Sequence, residues 1–328
     1  MTAQSTADEF RTVTLTTPAQ YAEAATLYRE VFGYRHPDYG LNPRLLGALV
    51  GNGGSVVGVL DAAERIVAFA YGFCGTDGRG FYHYSQSAVV AAEQQGRGLG
   101  RMLKQAQRGV ALEHGMTHMR WTYDPIQTRN AHFNLDVLGA RGRWFYPDLY
   151  GEPGTDRVVV EWDLRGGAHA VPPVEPNVAE AAQPAEPDAA EAEPAEGEPA
   201  EGEPAEGELT EAEWGVPRGK GERMWLALPS DFASLAATRP DTADQVRRDV
   251  RSAFTDLLGK GLVAESCRQR PGGTAVYQFG PAPEPREPEP REPEARGPDA
   301  RGPECGEPEP RREPEPREPE SEVRDVRR

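Results

Sequence analysis

The residues best suited to chemistry form a glycine-rich turn, Gln95-Gly96-Arg97-Gly98-Leu99-Gly100, between a predicted strand and an amphipathic helix. Glycine allows the backbone to approach a ligand closely, and successive N–H groups at the start of a helix bind anions. The helix dipole adds roughly half a positive charge at the same place. The turn therefore predicts a pyrophosphate site, although three glycines could equally serve only to make a tight turn.

Two other phosphate-binding motifs do not fit this turn. A dinucleotide fingerprint counted from Gly96 has Arg101 where its third glycine belongs, and counted from Gly98 it has Leu103. A P-loop needs Gly-Lys followed by Ser or Thr, which the sequence lacks. An anionic cofactor of another kind is the expected occupant.

The spacing Gln95-x-x-Gly98-x-Gly100 resembles the signature of the GNAT acyltransferase superfamily, Arg/Gln-x-x-Gly-x-Gly/Ala. The order of predicted elements from Phe10 to Leu164 is also similar, and Trp121-Thr-Tyr-Asp-Pro125 and Asn130-Ala-His-Phe-Asn134 resemble a less-studied subgroup. Ala92 stands where many members have proline. The resemblance implies acetyl-CoA or another acyl-CoA as co-substrate, and no metal.

Members of this superfamily bind coenzyme A along the end of a strand and the turn that follows it. The matching strand end is Ala88-Val-Val90, whose backbone would hydrogen-bond the pantetheine arm. Asn130, at the start of a later helix, would either contact the coenzyme or cap that helix. The implied coenzyme-binding residues are Ala88, Val89, Val90, Gln95, Gly96, Arg97, Gly98, Leu99, Gly100, Arg101 and Asn130.

In this family an amine attacks the thioester directly, without a covalent acyl-enzyme. A lysine-like amine with a pKa of about 10.4 is mostly protonated at neutral pH, a handicap of roughly 4.6 kcal/mol unless a base or a desolvated site removes the proton. A base is therefore sought, together with an acid for the departing thiolate. Many members use a tyrosine as that acid, and the equivalent position is Leu135. The candidate catalytic residues are instead Tyr123, Asp124, His83 and Tyr84, with His132 and Tyr146 nearby.

Each candidate also has a structural interpretation. A tyrosine on a strand is often part of the core or of a pocket wall, Asp124 before Pro125 often forms a turn, and single histidines are often satisfied structural groups. The cysteines Cys74, Cys267 and Cys305 lie far apart and show no CxxC spacing, so neither a metal site nor a catalytic thiol is predicted.

The elements that must position these residues follow from hydrophobic periodicity and from capping and turn residues. Predicted strands are Phe10 to Thr17, Ser55 to Leu60, Ile66 to Cys74, Phe81 to Val90, His118 to Tyr123 and Val158 to Leu164. Predicted helices run from the cap Thr17 to Gly33, from Pro43 to Val50, from Gly98 to Gly115 and from Asn130 to Leu138. Further along the chain we expect a strand from Arg223 to Leu228, a helix from Asp241 to Leu258 and a hairpin from Leu262 to Phe279. This order predicts an α/β fold with a GNAT-like mixed, mostly antiparallel sheet flanked by helices.

Composition divides the chain into four segments. With 31 prolines, 36 glycines and a mean hydropathy of −0.66, much of it cannot bury a core. The predicted segments are a coenzyme-binding catalytic domain at 1–165, a disordered acidic linker at 166–218, a small α/β lobe at 219–280 and a disordered Glu-Pro-Arg-rich tail at 281–328. A lobe of some sixty residues is marginal as an independent core, so we expect it to dock on the first domain.

The predicted function is transfer of an acyl group, acetyl or another such as succinyl, from coenzyme A to a primary amine on a small molecule such as an amino acid. The alternative is a non-catalytic acyl-CoA-binding module with a regulatory or scaffolding role. A net charge of −17 argues against nucleic acid as a partner, and no stretch approaches the ~20 apolar residues of a membrane helix. We expect a cytoplasmic protein; the sequence leaves open a protein partner for its charged segments and the oligomeric state.

Overall fold

The computed structural model describes residues 9–36, 39–166 and 211–282, and these belong to one compact unit of the chain. The disorder predicted for most of the linker and tail falls at 167–210 and 283–328, outside the described residues. Within the described ranges, no helix is both long and apolar enough to cross a membrane.

The described residues form helices and strands in a mixed order. The helices are α1 (Pro18–Phe32), α2 (Pro43–Val50), α3 (Leu99–Glu113), α4 (Thr128–His132), α5 (Phe232–Thr238) and α6 (Pro240–Gly259). The strands are β1 (Arg11–Thr14), β2 (Ser55–Leu60), β3 (Ile66–Thr76), β4 (Phe81–Val90), β5 (His118–Tyr123), β6 (Arg141–Tyr146), β7 (Arg157–Asp163), β8 (Pro217–Lys220), β9 (Arg223–Pro229), β10 (Leu262–Arg270) and β11 (Thr274–Pro281).

The strands form one eleven-stranded sheet in the order β1-β2-β3-β4-β5-β7-β6-β10-β11-β9-β8. In the described part of the chain, the parallel pair is β4 with β5, and the other neighbours are antiparallel. Helices cover both faces of the sheet. The predicted fold class, a mixed and mostly antiparallel sheet flanked by helices, is therefore confirmed.

The helices of the first half pack on opposite faces of the sheet. The predicted cap of α1 is confirmed, since the Thr17 side chain accepts from Gln20 N and Gly33 ends the helix with φ 64°. α1 and α2 pack against one face, where the core includes Leu46 and Phe69. α3 packs against the other face, where Leu103 joins the core. On this face α3 crosses β4 and β5.

The structure adds elements that the sequence analysis did not predict, namely β6, β8 and α5. The predicted helix from Asn130 to Leu138 begins earlier, with α4, and continues as a π-helical turn at Phe133–Val137. Residues 211–218, placed at the end of the predicted linker, include Trp214, which is buried and donates to Thr274 Oγ1 at 3.3 Å.

The C-terminal strands continue the same sheet through β10, which pairs with β6 at Ala264 and Gly142. A Cβ on Gly142 would lie 3.0 Å from both the Ala264 Cβ and the Val158 Cγ1, so a larger residue would force these side chains to shift. The expected docking of the C-terminal residues on the first half of the chain is confirmed by this pairing.

Asp136 is expected to hold this junction together. It accepts from Ser266 Oγ at 2.5 Å and from the Cys267 N–H at 2.8 Å, and His132 and Arg268 also approach it. Asp136→Ala should lower the free energy of unfolding by about 2 kcal/mol, because buried donors lose their acceptor. Urea denaturation measures this. Asp256→Ala, which removes an exposed pair with Lys260, is the control and should change stability by less than about 0.5 kcal/mol; equal effects of the two would contradict the prediction.

Candidate functional site

The parallel strands β4 and β5 separate soon after they meet. They pair at His83 with Met119 and at Tyr84 with Arg120, and the residues that follow Tyr84 and Arg120 on these two strands are not paired with each other. On its other side, β4 carries one extra residue, Gln86, where its register with β3 shifts. A bulge bends its strand and increases its twist, which accounts for the divergence of β4 from β5. We call the space between the two strands beyond Tyr84 the β4–β5 split.

The far end of β4 presents backbone groups to this split. Ala91 N donates to Val67 O of β3 at 2.8 Å. Because successive residues of a strand point their N–H and C=O groups to opposite sides, those of Val90 and Ala88 point away from β3. Val89, between them, bonds toward β3 and is buried. The predicted pantetheine edge thus has two residues whose backbone faces the split.

The glycine-rich turn leads from the split to the start of α3. Gly96 and Gly98 have φ of 73° and 75°, and Gly98 is the N-cap of α3 without a side-chain capping bond. The first intrahelical bond runs from Met102 N to Gly98 O at 3.2 Å, so the N–H groups of Leu99, Gly100 and Arg101 precede it. A Cβ on Gly98 would meet no atom within 4 Å. The space beside Gly98 is open, as an anion site requires.

The arginines near the turn differ in availability. Arg97 is tied to the start of the described chain: its Nη2 donates to Glu9 Oε2 at 2.5 Å, its Nη1 donates to Gln94 Oε1 at 2.7 Å, and its guanidinium lies 4.6 Å from the centre of the Phe10 ring. Arg101 is exposed in the first turn of α3, and Gln95 is half-buried. Of the two arginines in and beside the turn, Arg101 is therefore the one that can approach a bound anion from solvent.

Asn130 is a buried residue in the middle of α4. Its Oδ1 accepts from Asn134 Nδ2 at 3.1 Å, and Asn134 Oδ1 accepts from Trp121 Nε1 of β5 at 3.0 Å. The N-cap of α4 is Gln127, so the capping role considered for Asn130 is not observed. The side chain instead fixes α4 against β5 on the side of the sheet that carries α3.

His83 and Tyr84 lie on opposite faces of the sheet, because neighbours on a strand alternate. His83 is fully buried on the α3 face, and its Nε2 lies 2.9 Å from Ser55 Oγ. Tyr84 lines a pocket of about 460 Å³ on the other face, together with Tyr82, Arg120 and Trp144. Burial raises the pKa of Tyr84, so its hydroxyl stays protonated at neutral pH.

Tyr123 and Asp124 are held in structural contacts. Tyr123 is buried with its hydroxyl beside that of Tyr277, and burial raises its pKa. Asp124 Oδ1 accepts from Ile126 N at 3.1 Å, the turn that its position before proline favours. The structure therefore does not bring the predicted catalytic residues together. Of the four, Tyr84 is the one that lines a described pocket.

A larger groove of about 930 Å³ runs along α6 and past Pro153. Its arginines are already paired: Arg251 donates to Asp148 and Asp156, with Nη2 2.6 Å from an oxygen of each. Arg247 donates to the Gly154 carbonyl oxygen at 3.3 Å. None of the residues that line this groove belongs to the glycine-rich turn or to β4.

A buried polar cluster that the sequence analysis missed lies at the closed end of the split. Lys104 Nζ donates to Ser85 Oγ at 2.9 Å and lies 3.8 Å from the centre of the Trp121 ring. Ser85 Oγ donates to Gln107 Oε1 at 2.8 Å, and Gln107 Nε2 donates to Ser55 Oγ at 3.3 Å. With His83 these residues form what we call the Lys104 cluster.

Comparison with family models found no match, and comparison with curated proteins found none either. Solved structures that are similar include a GNAT-family acetyltransferase from Streptococcus pneumoniae, with 16% identity over 47% of this chain and 98% of that one and a TM-score of 0.39. YncA of Salmonella typhimurium, solved with its cofactor acetyl-CoA, has 18% identity over 49% of this chain and 96% of that one, with a TM-score of 0.41. At this similarity no activity or residue role passes from these proteins to the chain.

The spacing in α3 carried a signal for the Lys104 cluster. The buried residues of α3 form a second stripe beside the predicted one, Gly100, Lys104, Gln107 and Ala111. The two polar residues in that stripe are more typical of a solvent-facing surface, since buried lysine is rare without a partner. Their burial follows from β4 and β5, which the helix alone could not reveal.

Proposed function

We propose that the chain transfers an acyl group from coenzyme A to a primary amine by direct attack within a ternary complex. The observation that supports this most is the continuous path from the uncapped turn at Gly98, along the open backbone of Val90 and Ala88, to the end of the β4–β5 split. The N–H groups of the turn suit the pyrophosphate, and the strand edge suits the amides of the pantetheine arm. The thioester would supply an activated acyl carbon.

The proposed acceptor site is the pocket beside Tyr84, on the other face of the same strands. Arg120 in this pocket donates to Asp77 Oδ2 at 2.9 Å and to Glu161, and its guanidinium lies 4.1 Å from the centre of the Tyr82 ring. Backbone and Arg120 hydrogen bonds hold the pKa of Asp77 at about 2, so the pocket carries fixed charges of both signs. Mixed charges and aromatic walls favour a small zwitterion such as an amino acid.

The proposed division of labour assigns 1–165 to coenzyme binding and 219–280 to support of α4 and β6. Leu135 is buried at the position where the related enzymes would have a tyrosine. This favours the second candidate, a module that binds acyl-CoA without turnover.

Among the described residues, no group of three or more His, Cys, Asp and Glu is placed to hold a metal ion. The cytoplasm remains the proposed location.

Thiol release from acetyl-CoA and succinyl-CoA with a panel of amino acids and polyamines tests the proposal, alongside titration calorimetry with coenzyme A. Binding together with release for at least one amine is the expected result. Binding without release for every amine would favour the non-catalytic module. Absence of any binding heat would overturn both.

Tyr84→Phe tests the acceptor pocket. Its hydroxyl is the protonated donor on the pocket wall, so we expect turnover to fall by about tenfold to a hundredfold with coenzyme A affinity unchanged. Tyr82→Phe is the matched control on the same strand and face, because Tyr82 offers its ring rather than its hydroxyl to Arg120. A similar loss in both variants would assign the effect to pocket shape and contradict a role for the Tyr84 hydroxyl.

A further inference from the structure

Lys104 spans the point where β4 and β5 separate. Its Nζ bonds Ser85 of β4 at 2.9 Å and lies 3.8 Å from the centre of the Trp121 ring of β5. Ser85 and Trp121 directly follow the last paired residues, Tyr84 and Arg120. The ammonium therefore sits at the closed end of the split, between the two strands.

This ammonium is buried without a counter-ion. Lys104 is 5% exposed, and no ion pair in the described part of the chain includes it. The Ser85 hydroxyl uses one of its three N–H donors, and the indole ring faces the charge. A buried ammonium that has no counter-ion stabilises an anion that forms beside it.

At neutral pH the charge of the Lys104 cluster lies on Lys104, because the groups around it are neutral. β4 contributes His83, β2 contributes Ser55, β5 contributes Trp121, and α3 contributes Gln107. Burial, and then the charges of Lys104 and His114, lower the pKa of His83 to about 4, so its ring is neutral. Burial lowers the pKa of Lys104 to about 7, which allows it to lose and regain a proton near neutral pH.

The course of α3 brings Lys104 to the reacting end of the coenzyme. Leu99 and Val90 share one core, and Lys104 bonds Ser85, so α3 runs back along β4 from the turn toward the split's closed end. The six residues from Gly98 to Lys104 advance about 9 Å along the helix axis. A coenzyme with its pyrophosphate at Gly98 and its arm along β4 directs its sulfur toward the same end.

We propose that Lys104 is a catalytic residue that gives a proton to the departing thiolate of coenzyme A. This inference rests on the proposed function. The amine nitrogen bonds to the thioester carbonyl carbon, the carbon–sulfur bond breaks, and its electron pair stays on sulfur. Sulfur takes a proton from the Lys104 ammonium, and the proton lost by the new amide nitrogen returns to Lys104 through solvent. Lys104 thus supplies the acid that the apolar Leu135 cannot.

A spectroscopic titration of bound coenzyme A tests this without knowledge of the amine. The thiolate absorbs in the ultraviolet, so absorbance against pH gives the pKa of the bound thiol. With the wild-type chain we expect part of the thiolate to form about one to two pH units below the pKa of free coenzyme A, in competition with loss of the Lys104 proton near pH 7, because the ammonium stabilises the thiolate while it is present. In Lys104→Met the thiol pKa should return to the free value, and in Lys104→Arg, whose charge persists at these pH values, the whole titration should stay lowered.

Gln105→Met, at the next and exposed position of α3, is the matched control and should give the wild-type value. Calorimetry in parallel tests whether each variant still binds coenzyme A. Binding by wild-type protein with an unshifted thiol pKa, or an equal shift in Lys104→Met, would overturn the role of Lys104 while the proposed function stands. Failure of the wild-type chain to bind coenzyme A would overturn the proposed function and this inference with it.

Discussion

Gly98→Asp is expected to weaken coenzyme A binding by about a thousandfold. The substitution places a carboxylate in the open space beside the uncapped start of α3, where a Cβ meets no atom within 4 Å. A negative charge about 4 Å from a phosphate costs roughly 4 kcal/mol at an effective dielectric constant near 20, which corresponds to about a thousandfold in affinity. Aspartate tolerates the left-handed backbone at φ 75° better than most residues, so the fold should survive. Titration calorimetry measures the loss.

Gly115→Asp provides a matched control at the opposite end of the same helix. Gly115 has φ 74° and the same open surroundings for a Cβ. Both variants therefore introduce the same side chain, charge and backbone strain into α3. We expect Gly115→Asp to lose at least as much melting temperature as Gly98→Asp, because a carboxylate is favourable at the start of a helix and unfavourable at its end, and we expect a loss of affinity only at Gly98. A comparable fall in affinity in both variants would show that the turn contributes through folding and is not the anion site.

The parts of the fold that the sequence could predict are those specified by signals within a few residues. Thr17 and Gly33 mark the two ends of α1, and Asn42 starts α2 through its bond to Arg44 N. β6 was missed because Arg141-Gly-Arg-Trp-Phe-Tyr146 alternates poorly, with three large aromatic residues in succession at its end. Its strand conformation follows from β7 and β10, which lie on either side of it.

The candidate site also has features that the sequence could predict and features that it could not. The turn at Gly98 is local, and its position after β4 and before α3 was predictable from spacing alone. That His83 and Tyr84 must face apart also follows from the period of a strand. The burial of Lys104 could not be predicted, because it depends on how far β4 and β5 diverge. The same limit holds for Asp136, whose partners lie about 130 residues later in the chain.

Lys104→Met is expected to stabilise the protein at neutral pH by roughly 2 to 4 kcal/mol. Methionine keeps the length of the side chain and its contact with the Trp121 ring, and it removes a buried charge that has no counter-ion. Ser85 retains Gln107 as a partner at 2.8 Å. Urea denaturation at pH 7 measures the gain. Lys260→Met, at an exposed lysine, should change stability by less than about 0.5 kcal/mol.

The pH dependence of that gain identifies its source. The pKa of Lys104 is about 7 in the folded chain against 10.5 ordinarily, so between these values the unfolded chain binds more protons. Stability of the wild-type chain should therefore rise with pH from about 7 to 10.5, and the advantage of Lys104→Met should shrink over the same window. His83, with a pKa of about 4, gives the wild-type chain a second rise between about 4 and 6.5, and this rise should be smaller in Lys104→Met, where the Lys104 charge no longer lowers the His83 pKa. A gain independent of pH would assign the stabilisation to packing. A gain that is present at pH 7 and disappears as the pH rises to about 10.5 would mean that the chain retains a costly charge at the closed end of its split, as expected where stability is exchanged for chemistry.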